Sequence, residues 1–260
     1  MTDRSFDTPH PKRLWTGSGE AIFSVLPNTI LTNFYSDRSE NALLWNLIYA
    51  RAQPTLSLKA LLALKPLWGS ADLGDDQDDH LVPYYWGYHR DGSRLQWLDD
   101  TLADVDGAGP RTEVDLFLLG ERRLIAVESK HTSGFGRCAR YAAQRCPEIH
   151  PANTDDPHCR YWEPGPALFT NLLQVGSRPT SESEVVPCNV HYQLARTLLV
   201  GSELARRLGR QFALWVFLPR KGWRALEPAW LDFVARVDDD LAWRWMRAIA
   251  WEQIRSLPAR

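Results

Sequence analysis

Along this chain the spacing of apolar positions changes several times, and each change predicts an element. Between residues 38 and 51, Leu43, Leu44, Leu47 and Ile48 recur at three- and four-residue intervals, the stripe of a helix that buries one face. Ser36 or Asp37 can cap that helix, and Glu40 falls in its first turn, where an acid suits the helix dipole. A second helix is predicted over 57–65, stopped by Pro66. VPYYWGY (82–88) and LQWL (95–98) read as strands about an Asp91-Gly92 turn. After a Gly/Asp/Pro-rich linker at 104–110 come the two clearest strands, 113–119 and 123–129. A long helix is predicted at about 190–208, then a buried strand, FALWVF (212–217). Asp238–Asp240 open a final helix that runs to about 256.

The order is helix, strands, hairpin, irregular segment, helix, strand, helix, which predicts an α/β fold with a mixed central sheet. One domain over 1–260 is expected, with a polar N-terminal arm at 1–20, an insertion without clear periodicity at 131–188, and a helical C-terminal extension at 225–260. The acidic stretch DLGDDQDDH (72–80) lacks the glycine and terminal glutamate of an EF-hand loop and reads as a solvated loop. Twelve tryptophans are many, and six of them lie from Trp215 onwards, as filling for a C-terminal subdomain.

The hairpin, RTEVDLFLLGERRLIAVESK (111–130), writes charges into strands that should be core. Side chains alternate along a strand, so Glu113 and Asp115 share one face, and Glu128 and Lys130 share one face. Whether the two faces coincide depends on the turn. A Gly120-Glu121 loop makes Glu128 a diagonal neighbour of Asp115, and a Glu121-Arg122 loop sets the two directly opposite; an odd loop separates them. Two carboxylates held together on rigid strands repel, and a divalent cation relieves the repulsion. Hard oxygen ligands suit Mg²⁺ or Mn²⁺, and a lysine two residues from a ligand can serve an attacking water. The competing account is a half-solvated hairpin with alternating polar residues.

Composition narrows the choice only slightly. Hydrophobic residues make up 44% and charged residues 24%, ordinary for a globular protein, and the net charge of −2 carries no overall signature of nucleic-acid binding. That weakens a pure binding module more than an enzyme that gathers its basic groups in one cleft. No signal-peptide pattern and no bilayer-length apolar run is present, so a cytoplasmic protein without a membrane partner is expected. In that compartment its four cysteines are thiols or metal ligands rather than disulfides.

The pattern D-x12-E-x-K formed by Asp115, Glu128 and Lys130, inside this element order, resembles the PD-(D/E)XK nuclease superfamily. The resemblance covers roughly 38–51, 82–130 and 190–218. It implies a restriction-endonuclease-like core, α-β-β-β-α-β, with a mixed central sheet flanked by helices. It implies a Mg²⁺- or Mn²⁺-dependent nuclease that hydrolyses DNA, of a restriction, defence or repair type. Asp115 and Glu128 would ligate the metal with the Ser129 carbonyl, Glu113 would be an extra acidic ligand, and Lys130 would serve the water. Glu40 on the first helix and Gln193 on the helix after the hairpin match supporting positions of some branches. Val114 stands where the family's proline would precede Asp115, and the 131–188 insertion is a further departure. Many nucleases of this fold dimerise to cut both strands, so a homodimer is admitted. RNA is an alternative substrate, and a non-catalytic nucleic-acid- or partner-binding protein is the alternative class.

Cys138, Cys146, Cys159 and Cys188 all fall in or at the end of the insertion, spaced C-x7-C-x12-C-x28-C. Four thiolates in one poorly apolar segment suit Zn²⁺ or a 4Fe-4S cluster, though no C-x2-C knuckle is present. Unlinked buried thiols are the plainer reading. Some relatives in the superfamily carry a 4Fe-4S cluster with one cysteine far upstream of the motif, an arrangement this chain does not share. For phosphate contacts the candidates are Arg137 and Arg140 beside the hairpin, and Arg196 one helical turn beyond Gln193.

Overall fold

A computed structural model describes residues 16–34, 39–70, 78–107, 114–182, 186–238 and 240–258. Six strands form one sheet in sequence order: β1 (Leu56–Ser57), β2 (His80–Tyr85), β3 (Leu116–Leu119), β4 (Arg123–Ser129), β5 (Gln211–Leu218) and β6 (Arg247–Ala250). The β1 to β4 neighbours pair antiparallel, β3 and β4 through a tight turn, and β4–β5 and β5–β6 pair parallel after helical crossovers. The protein is therefore mixed α/β with a six-stranded mixed sheet.

Among the described residues, four helices of nine or more residues flank the sheet: α1 (Glu40–Tyr49), α2 (Leu98–Asp106), α3 (Tyr192–Leu208) and α4 (Trp223–Val234). Every residue of β4 is buried, because each face of the sheet meets its own core. Ile125 and Val127 belong to a cluster with Leu44, Trp45 and Ile48 of α1. Leu124 and Ala126 belong to a second with Leu194, Leu198 and Leu199 of α3 and Leu98, Leu102 and Val105 of α2. The strand period thus sends β4's even-numbered side chains, Glu128 included, towards α3.

Ser39 caps α1 by accepting from the Ala42 amide at 2.9 Å; the anticipated caps, Ser36 and Asp37, lie outside the described residues. Two expectations are corrected. LQWL is not a strand: Leu98 opens α2, whose buried Leu98, Thr101, Leu102 and Val105 keep helical spacing behind Asp99 and Asp100 in the first turn. The final helix is not continuous: two short helices, Asp240–Arg244 and Trp251–Arg255, flank β6, so the C-terminal segment supplies a strand. The short run Arg247–Ala250 is buried at every position and completes the ladder beside β5, and this pairing overrides local helix propensity. Two helices near the N-terminus, Ile22–Val25 and Asn28–Phe34, follow the expected arm and add to the helices that periodicity predicts.

Arg247 runs through this part of the core fully buried. Its guanidinium donates to the carbonyls of Leu61, Leu62 and Leu64, at 2.8 Å for Leu64, beyond the end of the helix Leu58–Leu62. Burial pulls its pKa down to about 10. Among the described residues, no helix is long and apolar enough to cross a membrane.

Candidate active site

The turn between β3 and β4 decides the site. The ladder pairs Leu119 with Leu124 and Leu116 with Val127, and the Gly120 amide donates to the Arg123 carbonyl at 2.8 Å. The loop is therefore Glu121-Arg122, an even turn; the ladder ends at Leu116–Val127, and a bond from the Ser129 amide to the Asp115 carboxylate brings Asp115 to the end of β4 beside Glu128. Asp79 fixes this turn from beneath. It is 3% exposed, and its carboxylate accepts from the amides of Glu121 at 2.9 Å and Arg122 at 3.1 Å. Residue 120 is glycine because a Cβ there would stand 2.2 Å from Asp79 Oδ2. Of the acidic stretch 72–80 expected to be a solvated loop, residues 72–77 lie outside the described residues, and Asp79 near its end is buried and holds the hairpin turn.

Glu128 and Lys130 are 2% and 5% exposed, with Lys130 Nζ 3.9 Å from Glu128 Oε2. Both Glu128 oxygens face donors from α3: Gln193 Nε2 donates to Oε2 at 2.6 Å, and Thr197 Oγ1 donates to Oε1 at 2.6 Å. Gln193 is itself held, since its Oε1 accepts from the Gly136 amide at 2.7 Å and its own amide donates to the Gly136 carbonyl. Asp115 Oδ2 accepts from the Ser129 amide at 2.8 Å, a bond that ties it across the hairpin. Glu40, at the start of α1, accepts from the His131 amide at 2.7 Å and the Ser133 hydroxyl at 2.8 Å. The segment leaving β4 therefore wraps the first residue of α1.

Electrostatics separates these carboxylates. Burial, then the charge of Glu128, push the Asp115 pKa up to about 8, with Glu40 adding to the push against Lys130 and the Ser129 amide. Burial also acts upwards on Glu40, but the donors at His131 and Ser133 and the charge of Lys130 outweigh it, and its pKa is lowered. The carboxylates of Asp115, Glu128 and Glu40 share one lysine, and the resulting repulsion falls on Asp115, whose charged form is disfavoured.

No protein-family model, curated protein or solved structure matches this chain.

The structure brings Asp115, Glu128, Ser129, Lys130 and Gln193 together, and links Glu40 to them through the 131–133 backbone and the charge of Lys130. Glu113 lies outside the described residues. Thr197 is not among the candidates that the sequence motif singles out; its signal is the four-residue step from Gln193, which puts both on one helix face. Arg196 is not offered to a phosphate: it is 3% exposed and holds Asp106 with two nitrogens, Nε at 2.9 Å from Oδ1. Residue 196 sits only about 60° round the helix from 193, and it is the Asp106 carboxylate at the end of α2 that draws its guanidinium away from the site. Arg137 and Arg140 are exposed, and Arg140 pairs with Asp156 at 2.8 Å. Arg206 and Arg207 bind Glu203 on their own helix, in line with a local rather than a nucleic-acid role.

Among the described residues, no group of three or more His, Cys, Asp or Glu side chains is arranged to hold an ion. Mg²⁺ needs no such cage: one or two carboxylates, waters and substrate phosphates suffice. Asp115 and Glu128, with a neighbouring backbone carbonyl, are a donor set of that kind, and each bonded carboxylate oxygen keeps a further lone pair.

Proposed function

We propose that the protein is a metal-dependent nuclease that hydrolyses DNA phosphodiester bonds, on a core of the restriction-endonuclease-like type. One observation carries the reading: the Ser129 amide donates to Asp115 at 2.8 Å, which ties the Asp115 carboxylate to the end of β4 beside Glu128 and the buried Lys130, where burial and the charge of Glu128 both raise its pKa. Such a pair lacks the charge that a divalent cation supplies. The even turn, the helix behind the hairpin and the parallel strand after it agree with the resemblance drawn from the sequence.

Asp115, Glu128 and the Ser129 carbonyl would hold Mg²⁺ or Mn²⁺, which when bound supplies charge neutralisation at phosphate oxygens and a water of lowered pKa. The chain's own residues position the chemistry. Gln193 and Thr197 fix the Glu128 carboxylate in one orientation, and the Ser129 amide fixes Asp115. Lys130, held between Glu128 and Glu40, presents an ammonium that can orient the attacking water or stabilise charge developing on the phosphoryl oxygens. Glu40 also keeps the chain beyond Lys130 in place through three consecutive amides.

The test is cleavage of plasmid, linear DNA and RNA with Mg²⁺ or Mn²⁺, comparing wild type with Lys130→Ala and Asp115→Ala. Metal-dependent DNA cleavage lost in both variants is expected. Cleavage of RNA alone would overturn the substrate, and no metal-dependent, mutation-sensitive cleavage of either would overturn the enzyme.

A further inference from the structure

From Cys138 to the start of α3, the described chain forms only helices of three or four residues, and about half of its side chains are exposed. A stretch this long without regular structure is uncommon inside a folded domain and needs something to hold it. Its four cysteines are all free thiols, and none of them is among the exposed half of the segment.

Local hydrogen bonds draw the four together from distant positions. The Cys138 amide donates to Asn189, both to its carbonyl and to its side-chain Oδ1 at 3.1 Å, which places it beside Cys188. The Cys159 amide donates to Glu148 Oε1 at 2.7 Å, which places it beside the turn that begins at Cys146. Trp162, in the short helix that Cys159 opens, hydrogen-bonds the Cys188 sulfur. All six pairs of the four thiols are close enough for a charge on one to be felt by the other. Spacings of 7, 12 and 28 residues would not converge in this way by chance of sequence proximity.

We propose that Cys138, Cys146, Cys159 and Cys188 form one tetrathiolate site for a thiophilic metal centre, a zinc ion or a small iron–sulfur cluster, that holds this segment together. The four thiols lie within electrostatic reach of one another but are not in ligating contact. Neutral thiols gain nothing by closing further. Closure follows binding, as each thiol releases its proton to solvent and forms a sulfur–metal bond. Soft sulfur donors select zinc or iron–sulfur centres over the magnesium suited to the carboxylates. The site would also bear on the hairpin, because Cys138 and Cys188 bracket the mutual bonds of Gly136 and Gln193, and Gln193 orients Glu128. The proposal does not rest on nuclease activity.

The full-length chain is purified anaerobically without chelator and assayed for zinc, iron and acid-labile sulfide. One zinc per chain, or iron with matching sulfide, is expected, falling at least severalfold in Cys138→Ser and Cys188→Ser. Limited proteolysis within 138–188 should quicken in both variants. Because a variant can fail to fold, Co²⁺ is also added to the chelator-stripped wild type. Intense thiolate-to-cobalt absorption supports the site, and its absence opposes it. Folded wild type without zinc or iron, or metal content unchanged in both serine variants, would overturn the proposal.

Discussion

Replacing Asp115 by Asn should stabilise the metal-free protein, and more so as pH rises. In the folded chain Asp115 titrates at about 8 against an ordinary 3.8, because burial and Glu128 disfavour its charge. Between those values the folded state holds a proton that the unfolded state has released, so stability falls as pH rises through that window. A gap of roughly 4 units at 1.36 kcal/mol each sets a ceiling of about 6 kcal/mol. By its exposed surface Asp115 is only half-buried, so solvent screening leaves about half of that, roughly 3 kcal/mol, as the expected penalty at pH 9. Asparagine keeps an oxygen to accept from the Ser129 amide and never carries the charge. At ~2–4 °C per kcal/mol for a chain of this size, the variant should melt about 6–12 °C above wild type at pH 9, with little difference near pH 4. Thermal unfolding of both proteins from pH 4 to 9 in chelator reads this directly. Millimolar Mg²⁺ should then raise the wild-type midpoint at pH 8 and leave that of Asp115→Asn nearly unchanged. A pH-independent difference, or a variant less stable than wild type at pH 9, would refute the reasoning.

Thr197→Val keeps the shape of the side chain but leaves a buried Glu128 oxygen short of a donor; a loss of about 1–3 kcal/mol in urea unfolding is expected, with slower metal-dependent cleavage. Asp79→Ala strips the acceptor from two turn amides and should cost about 2–4 kcal/mol, read by the same unfolding curves. Asp106→Ala strands the buried Arg196 guanidinium and should cost roughly 3–5 kcal/mol, while Asp106→Leu with Arg196→Met recovers most of it. The same double variant should leave the salt dependence of DNA binding unchanged, since Arg196 faces Asp106 rather than solvent.

Much of the site is legible in the sequence. The period of two puts Glu128 and Lys130 on one face, and the run of apolar residues around them requires buried strands. The helical stripe at 40–49 and the long helix carrying Gln193 follow from the same kind of periodicity. Helix α2 and strand β6 depart from expectation for a common reason. Short apolar runs such as LQWL and RAIA do not carry a period of their own, so neighbours chose their conformation.

The sequence by itself determined which residues could share a face, because side-chain direction within a strand or helix is set by backbone geometry alone. It left the parity of the hairpin turn open, and with it the meeting of Asp115 and Glu128. Only the tertiary structure decided that, through Asp79, whose carboxylate gathers the turn amides from about forty residues upstream and admits no side chain at Gly120. It likewise turned Arg196 towards Asp106, gave Glu128 the Thr197 hydroxyl, and brought Cys159 within electrostatic reach of Cys138, Cys146 and Cys188. Each of these joins residues far apart in the chain, where no local period reaches and only packing and the pairing of buried polar groups select the partner.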